Sequence, residues 1–223
     1  MANTLMHISQ LHWIVVEDNN SKIKAVEKLL NRTGLPHTYI CAKTIPGYPS
    51  RGWYQRSRAL EYLRKNTDQI TLNKSNSVVY FGDDDNSYDI RLFRDYIRRV
   101  RKVGIWAVAL AGNTAIEMPD VHQGTVVGWK VLWNKKRKFA TDMAGFAIAL
   151  NIILKSTATF GTSCDQGLGA PETCFLEDLG LGITDLEPFG FDQDDKEVFV
   201  WHTKTVPVKY NKRIIDSGGF FIE

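Results

Sequence analysis

The chain has 223 residues, 43% of them hydrophobic and 24% charged, so it can bury a sizeable core and has the composition of an ordinary soluble globular protein. Its net charge of +3 is too small to indicate nucleic acid or a membrane surface as a partner. No stretch approaches the roughly 18 consecutive apolar residues of a membrane-spanning helix, so we expect no membrane contact by this chain itself.

The first pattern along the chain is a strand, a helix and a second strand. Residues 11–16 predict a buried strand that ends in carboxylates, one of them Asp18. Ser21 can cap the helix that follows, and Gly34 is placed to end it. A short second strand is predicted over residues 37–41. This order indicates a βαβ unit.

Two arginines stand at the start of the next helix. Residues 45–50 are rich in turn formers and predict a loop, and the helix after it carries Leu60 and Leu63 on an apolar face. Arg51 and Arg56 lie at its opening turn, where forked guanidinium groups can bind a diphosphate. Taken alone, these residues favour the alternative of two solvated surface charges.

The most informative stretch is an apolar strand that runs into three aspartates. Residues 77–81 predict a buried parallel strand, and Asp83, Asp84 and Asp85 follow it closely. Ligands bind at the carboxyl ends of strands in open α/β sheets. Adjacent carboxylates repel one another and favour a hard divalent cation, completed by phosphate oxygens and water. The stretch therefore predicts a metal-mediated nucleotide diphosphate site. The alternative is an acidic turn that caps a helix starting near Tyr88.

The first half then closes with a helix and a strand. Apolar residues from Ile90 to Val100 form a helical stripe that ends near Gly104, and residues 105–111 predict another buried strand. We therefore predict that residues 1–112 form a doubly wound nucleotide-binding lobe.

The second half, residues 113–223, changes in character. Residues 126–133 alternate as in an antiparallel strand, and residues 135–138 form a basic turn. Asp142 then opens a predicted apolar helix over residues 143–154, and a purely capping role for this aspartate is the alternative to a binding role.

The last elements are a loop, a helix and a strand. Residues 161–169 are glycine-rich and predict a loop, and Pro171 suits the first turn of the next helix. Glu172 would lie at the opening of that helix, where the helix dipole alone favours a carboxylate. Residues 197–201 predict a strand that leads to His202, which the sequence alone assigns to a structural role.

The three cysteines are Cys41, Cys164 and Cys174. They cannot all pair with one another, and they show no metal-ligand spacing. The pattern favours small buried thiols.

Four separated stretches resemble one known family. Residues 11–18, 81–88, 142–147 and 200–203 are similar to the β-1,3-glucuronosyltransferases, glycosyltransferase family 43, and occur in the family's order. The resemblance implies an α/β fold of the GT-A glycosyltransferase type, in which a mixed-sheet lobe over residues 113–223 binds the acceptor and carries the catalytic base. The implied reaction is the transfer of glucuronic acid, with inversion, from UDP-glucuronate to the 3-hydroxyl of a terminal β-galactose on a proteoglycan linker or glycoprotein. The implied cofactor is Mn²⁺.

The resemblance also assigns a role to each candidate site residue. Glu172 would be the catalytic base, and Asp85 would hold the metal. The implied donor-binding residues are Asp18, Arg51, Arg56, Asp83, Asp84, His202 and Lys204. The implied acceptor-binding residues are Glu117, Trp133, Arg137 and Asp142.

The resemblance also implies an oligomeric state and a cellular compartment. The family implies a homodimer and the Golgi, and the apolar residues 218–222 would pack against a second subunit or the chain's own core. Compared with the family, we expect the membrane anchor, the stem and the first strand to be missing. Lys204 replaces the family's usual arginine, and the loop over residues 161–170 lacks a basic residue often found there. Two alternatives stay open: a transferase of the same fold with another sugar nucleotide, and a truncated, non-catalytic binding or assembly partner.

Overall fold

The structure, a computed structural model, describes residues 1–192 and 196–203 of this α/β protein. The helices are α1 (Ala2–Leu5), α2 (Lys24–Thr33), α3 (Trp53–Ile70), α4 (Leu150–Leu154) and α5 (Pro171–Asp178). The strands are β1 (Trp13–Glu17), β2 (His37–Cys41), β3 (Val78–Tyr80), β4 (Asn86–Tyr88), β5 (Val103–Ile105), β6 (Val108–Ala109), β7 (Ile116–His122), β8 (Thr125–Lys130), β9 (Phe146–Ala149), β10 (Leu186–Pro188) and β11 (Val200–His202).

The βαβ unit is confirmed. Strands β1 and β2 pair in parallel across α2, and α2 ends at Gly34 in the left-handed conformation that glycine adopts easily. The predicted cap is wrong, because α2 begins at Lys24, with Ile23 rather than Ser21 at its N-cap. The backbone N–H of Ile23 donates instead to the hydroxyl of Tyr39 on β2, at 3.1 Å. The prediction that β1 is buried is also wrong, since all five of its residues are half-buried.

A mixed sheet of four strands, in the order β10-β5-β9-β3, forms the centre of the molecule. The acidic strand β3 lies at its edge and pairs antiparallel with β9, so the prediction of a buried parallel strand is wrong. Its partner comes from 71 residues later in the chain, as Val78 pairs with Ala149, and no local pattern reports such a pairing.

The predicted helix over residues 143–154 is also wrong. A 3₁₀ turn over Met143–Gly145 comes first, β9 follows over Phe146–Ala149, and only Leu150–Leu154 is helical. A continuous apolar run does not distinguish a fully buried strand from a buried helix. Here the backbone of Phe146–Ala149 pairs with β5 on one side and β3 on the other, which a helix cannot do.

A second sheet has the order β4-β11-β6-β7-β8. The predicted strand over residues 126–133 is present as β8, shortened to Thr125–Lys130 and antiparallel to β7. The predicted strand over residues 105–111 is divided into β5 and β6, which belong to different sheets. Strand β11 lies between β4 and β6 and sets His202 opposite Asn86, directly after the acidic strand end.

The helical stripe after the acidic strand is present only in part. Phe93, Ile97 and Val100 are buried, whereas Ile90 is exposed. The segment forms a π-helical turn over Leu92–Tyr96 and a 3₁₀ turn rather than a regular α-helix.

The core consists of two apolar clusters on opposite faces of the central sheet. On β9, Phe146 and Ile148 belong to one cluster and Ala147 to the other, as the alternation of side chains along a strand requires. On β3, Val79 packs on the first cluster and Tyr80 on the second. The predicted division into lobes after residue 112 stays a prediction.

Cys164 and Cys174 form a disulfide bond, and Cys41 is free. The prediction of small buried thiols is therefore wrong, since two of the cysteines are bonded to each other and Cys41 is only half-buried. The closed ring spans a sequence separation of only ten residues, across a glycine-rich loop whose path the sequence did not define.

Candidate active site

A cavity of about 330 Å³ opens where the acidic strand end, α3, α5 and the segment before β9 meet. Eight predicted site residues line it: Arg51, Arg56, Asp83, Glu117, Trp133, Arg137, Asp142 and Glu172. Residues predicted to bind donor and acceptor therefore face one space.

Aromatic packing explains why distant segments converge at this cavity. Phe81, the last apolar residue before the aspartates, packs edge-on against Phe160 and Phe175, with ring centroids 5.3 and 5.7 Å apart. Phe160 and Phe175 stack on each other at 4.4 Å. Since Phe175 lies on α5, three residues after Glu172, this cluster fixes the catalytic-base candidate beside the acidic strand end.

Asp83 is held by an arginine predicted to bind the donor. Its carboxylate forms an ion pair with Arg56, whose guanidinium also donates to the backbone carbonyl of Arg51 at 3.0 Å. Burial raises the pKa of Asp83, and the charge of Arg56 opposes that rise. The pair brings α3 and the end of β3 together at one wall of the cavity.

Glu172 is the most perturbed carboxyl group of the site. Pro171 occupies the first position of α5, as predicted, and Glu172 lies in its first turn with its side chain almost fully buried. Burial raises the pKa of Glu172 to about 7, and the nearby charge of Asp142 adds to the effect. Its Oε2 atom has no hydrogen-bond partner among the described residues. A buried carboxyl with that pKa suits proton transfer near neutral pH.

Arg137 forms an ion pair with Glu172, with Nη1 3.8 Å from Oε2. Its guanidinium lies over the ring of Trp133, 4.7 Å from the centroid. The sequence placed Arg137 in a basic turn, and in the structure only 5% of this residue is exposed. The hydroxyl of Thr173 on α5 donates to the carbonyl of Phe139 at 2.9 Å, which ties the Arg137 segment to the helix of Glu172.

Asp142 caps a turn and lies beside His202. Its Oδ1 accepts a hydrogen bond from the backbone N–H of Ala144 at 2.9 Å, so the predicted N-cap is confirmed, although for a 3₁₀ turn. The same oxygen lies 3.2 Å from Nε2 of His202, close enough for an ion pair but not aligned as a hydrogen bond. Asp142 raises the pKa of His202. The carbonyl of Ala144 accepts from Tyr80 and Trp106, which anchors the turn to the core.

Glu117 packs directly on a glycine. A Cβ atom at Gly112 would lie 1.9 Å from Oε1 of Glu117, and Gly112 has a φ of +55°. Burial and the charge of Asp142 raise the pKa of Glu117, while Arg137 and His202 lower it. Sequence reasoning missed Gly112, as well as Asn113 and Thr141, which also line the cavity. Their only signal is the turn-forming Gly112-Asn113 pair.

Other predicted donor residues lie outside the cavity wall. Asp18 accepts hydrogen bonds from the backbone N–H and hydroxyl of Thr44, and the same hydroxyl accepts from Gln55 on α3. Asp84 and Asp85 are exposed. Lys204 and residues 218–222 lie outside the described residues.

The acidic strand end fits a metal that is held jointly with a substrate. The backbone carbonyl of Asp85 accepts from the N–H of Thr203 at 2.9 Å, which fixes the strand end, while its side chain stays accessible. Over residues 1–192 and 196–203, no three His, Cys, Asp or Glu side chains converge as metal ligands. A cation here would take most of its ligands from diphosphate and water, as Mg²⁺-like hard cations do.

The family model of glycosyltransferase family 43 matches residues 1–206. The chain belongs to glycosyltransferase family 43. It is similar to relatives named galactosylgalactosylxylosylprotein 3-beta-glucuronosyltransferase. The Caenorhabditis elegans relative is 34% identical over 97% of this chain and 62% of its own length, and the human relative 1 is 40% identical over 95% and 65%. The mouse relative 2 is 37% identical over 93% of this chain and 64% of its own length.

This family 43 chain thus spans somewhat less than two thirds of the length of these relatives. In the part of the chain that the structure describes, none of the helices has both the length and the apolar character needed to cross a bilayer.

Proposed function

We propose that this chain is an inverting transferase that moves glucuronic acid from UDP-glucuronate to the 3-hydroxyl of a terminal β-galactose on a proteoglycan linker or glycoprotein. The observation that supports it best is the buried carboxyl of Glu172, with a pKa of about 7, in the same cavity as Arg51, Arg56 and Asp83. A base and a cationic wall in one space are what a single displacement requires. The names of the family 43 relatives indicate the same reaction.

Glu172 takes the proton of the acceptor hydroxyl in this proposal. The oxygen of the 3-hydroxyl attacks the anomeric carbon as the bond to the diphosphate breaks, and the proton passes to a carboxylate oxygen of Glu172. A base with a pKa near the working pH is half ionised and still accepts a proton readily. Burial supplies that pKa, and Arg137 at 3.8 Å keeps a useful fraction ionised.

The leaving diphosphate is met on the other side by cations. Arg51 and Arg56 offer forked donors, and His202 carries positive charge more readily because Asp142 raises its pKa. Lys204 would add a point charge where the family usually has an arginine. A hard divalent cation at Asp85, which we propose to be Mn²⁺, would supply Lewis-acid stabilisation of the same charge. Asp18, Asp83 and Asp84 would hold the uridine.

The acceptor sugar would lie between Trp133 and the polar groups opposite it. The indole offers a flat apolar face for sugar C–H groups, and Arg137 stacks on the same ring. Glu117, Arg137 and Asp142 provide hydrogen bonds that select which hydroxyl faces Glu172.

We further propose the assembly and setting that the resemblance implies. These are a GT-A fold with a doubly wound donor lobe, a homodimer and residence in the Golgi.

The experiment that tests the proposal is a calorimetric titration of the chain with uridine diphosphate, with Mn²⁺ and then with a chelator. We expect binding that needs the metal and is lost in Asp85→Ala. Asp178→Ala changes an exposed carboxylate at the end of α5 and is the matched control. Absence of binding under both conditions would contradict the proposal and favour the non-catalytic alternative. Transfer from UDP-glucuronate to a galactose-terminated acceptor then tests the reaction itself.

A further inference from the structure

The loop between Phe160 and α5 forms part of two cavities. One is the candidate active-site cavity, to which the loop contributes Gly169 and Ala170. The other, of about 370 Å³, adjoins it and is walled by Cys164 and Leu168 among others. Trp53, Arg51 and Gly169 line both cavities. The position of this loop therefore shapes the approach to Glu172.

The loop has one covalent anchor, the disulfide from Cys164 to Cys174. Cys174 lies on α5, two residues after Glu172, so the bond joins the loop to the first two turns of the helix that carries the base. The N-cap residue of α5 is Ala170, whose methyl side chain cannot cap the helix by hydrogen bonding. The contacts of the loop therefore help to fix the first turn of the helix, together with the Thr173 hydrogen bond and the packing of Phe175.

The contacts around Cys164 show that the loop is built on this residue. Its carbonyl accepts the backbone N–H of Gly169 at 2.9 Å, and the carbonyl of Gly167 accepts the backbone N–H of Ala170 at 3.0 Å. A Cβ atom at Gly167 would lie 2.5 Å from the Cys164 sulfur, so the sulfur packs on bare backbone. Only 4% of Cys164 is exposed.

We propose that the Cys164–Cys174 disulfide is a positioning element for Glu172, holding the loop against α5 so that the carboxyl stays buried beside Arg137. Without the bond, the packing of Phe175 and the hydrogen bond of Thr173 still retain the helix. The first turn, with Glu172, then keeps these contacts but loses its covalent tie to the loop, and the carboxyl becomes more exposed to solvent. The proposal rests on the proposed function only for its activity readout.

The primary test compares the wild-type chain with Cys164→Ser/Cys174→Ser. We expect kcat to fall about 100-fold, the scale of a misplaced catalytic group, while KM for the UDP donor changes little. Cys41→Ser, which removes the free cysteine, is the control and should keep the wild-type kcat. Equal losses in kcat and in donor binding would indicate general damage to the fold and would overturn the positioning role. An unchanged kcat would also overturn it.

A second readout does not need activity. Carbon NMR of ¹³C-labelled glutamate follows the titration of the Glu172 carboxyl, assigned with Glu172→Gln. In the disulfide-free variant the titration should shift to lower pH, toward an exposed glutamate. An unchanged titration overturns the inference. If the wild-type chain binds no UDP and transfers nothing, the proposed function fails, while this titration still decides the role of the disulfide.

Reduction of the folded wild-type chain replaces the variant if the variant does not fold. Dithiothreitol gives two electrons and two protons to the disulfide, which becomes two thiols while the reagent closes to its cyclic disulfide. Alkylation and mass spectrometry then verify that Cys164 and Cys174 have opened. The NMR titration of the reduced chain should shift as in the variant, and a chain that is reduced at both sulfurs without that shift contradicts the proposal.

Discussion

Oε2 of Glu172 lies 3.8 Å from Nη1 of Arg137, and both side chains are almost completely buried. The pair is too far apart for a hydrogen bond yet close enough for each charge to act on the other. Burial raises the pKa of Glu172 while Arg137 lowers it, so the titration of the base depends on a balance between two effects.

We predict that Glu172→Gln lowers kcat for transfer by at least about 100-fold, because general-base catalysis contributes on that scale. Glutamine keeps the shape of the side chain, so metal-dependent UDP binding should persist. Steady-state kinetics and calorimetry measure the two effects. Glu177→Gln, on the same helix but paired with Lys138 at the surface, is the control and should leave kcat unchanged. A similar fall of kcat in Glu172→Gln and Glu177→Gln would show that Glu172 is not the base.

The same substitution should stabilise the fold at alkaline pH. The folded chain keeps a proton on Glu172 up to a pH of about 7, whereas the unfolded chain loses it near the ordinary pKa of about 4.3. Between these values the folded state binds more protons, so the free energy of unfolding of the wild type falls as pH rises. Glutamine does not titrate. At pH 8 we expect Glu172→Gln to be more stable by up to about 3 kcal/mol, with the gap closing toward pH 4.

Urea unfolding of both proteins between pH 4 and 8 measures this difference. A gap that does not vary with pH would mean that Glu172 has an ordinary pKa and is not buried as the structure places it.

Arg137 should set the acid limb of the pH–rate profile. Its positive charge lowers the pKa of Glu172 and of Glu117, so Arg137→Met should raise the midpoint of the kcat/KM profile by about one pH unit. Arg137→Lys keeps the charge and should keep the midpoint, even if it weakens acceptor binding by losing the contact with Trp133. Lys138→Met, at the neighbouring surface position, is expected to shift nothing. An unmoved midpoint in Arg137→Met would show that the titrating group is not Glu172.

Gly112→Ala should damage acceptor binding selectively. The new methyl group would displace Glu117, whose Oε1 lies 1.9 Å from the added Cβ, so we expect a higher KM for the acceptor and unchanged UDP affinity. Gly124→Ala in the β7–β8 turn is a close control, because Gly124 also has a positive φ of +74° but nothing within 4 Å of an added Cβ. In both variants alanine must adopt a positive φ, which destabilises the fold. Only Gly112→Ala should also raise the KM for the acceptor.

The sequence was most informative where the signal is local. The left-handed Gly34, the bounds of β2 and Pro171 at the start of α5 follow from turn chemistry and short-range pattern, and the structure confirms them. The antiparallel pairing of β3 with β9 joins segments 71 residues apart, as for Val78 and Ala149, and no local pattern contains it. Likewise, residues 143–154 are apolar throughout, and only their neighbours in the fold decide between strand and helix.

In the candidate site, too, the sequence identified residues within local motifs but not features that depend on distant segments. Resemblance of motifs identified eight residues that the structure brings to one cavity. It did not reveal that Arg137 is buried, because its burial depends on the Trp133 ring and on α5. It also missed the disulfide, since three cysteines allow several pairings and only the path of the loop selects one.

The two contacts of Asp142 have a consequence for the thermodynamics of acceptor binding. Oδ1 accepts the N–H of Ala144 and lies 3.2 Å from Nε2 of His202, while Oδ2 has no hydrogen-bond partner within residues 1–192 and 196–203. The rotamer of this carboxylate is thus settled during folding, and a sugar that binds to Oδ2 need not order it. Ordering a free side chain at a binding site costs about 0.5–1.5 kcal/mol, an entropy loss that has already occurred in the free protein.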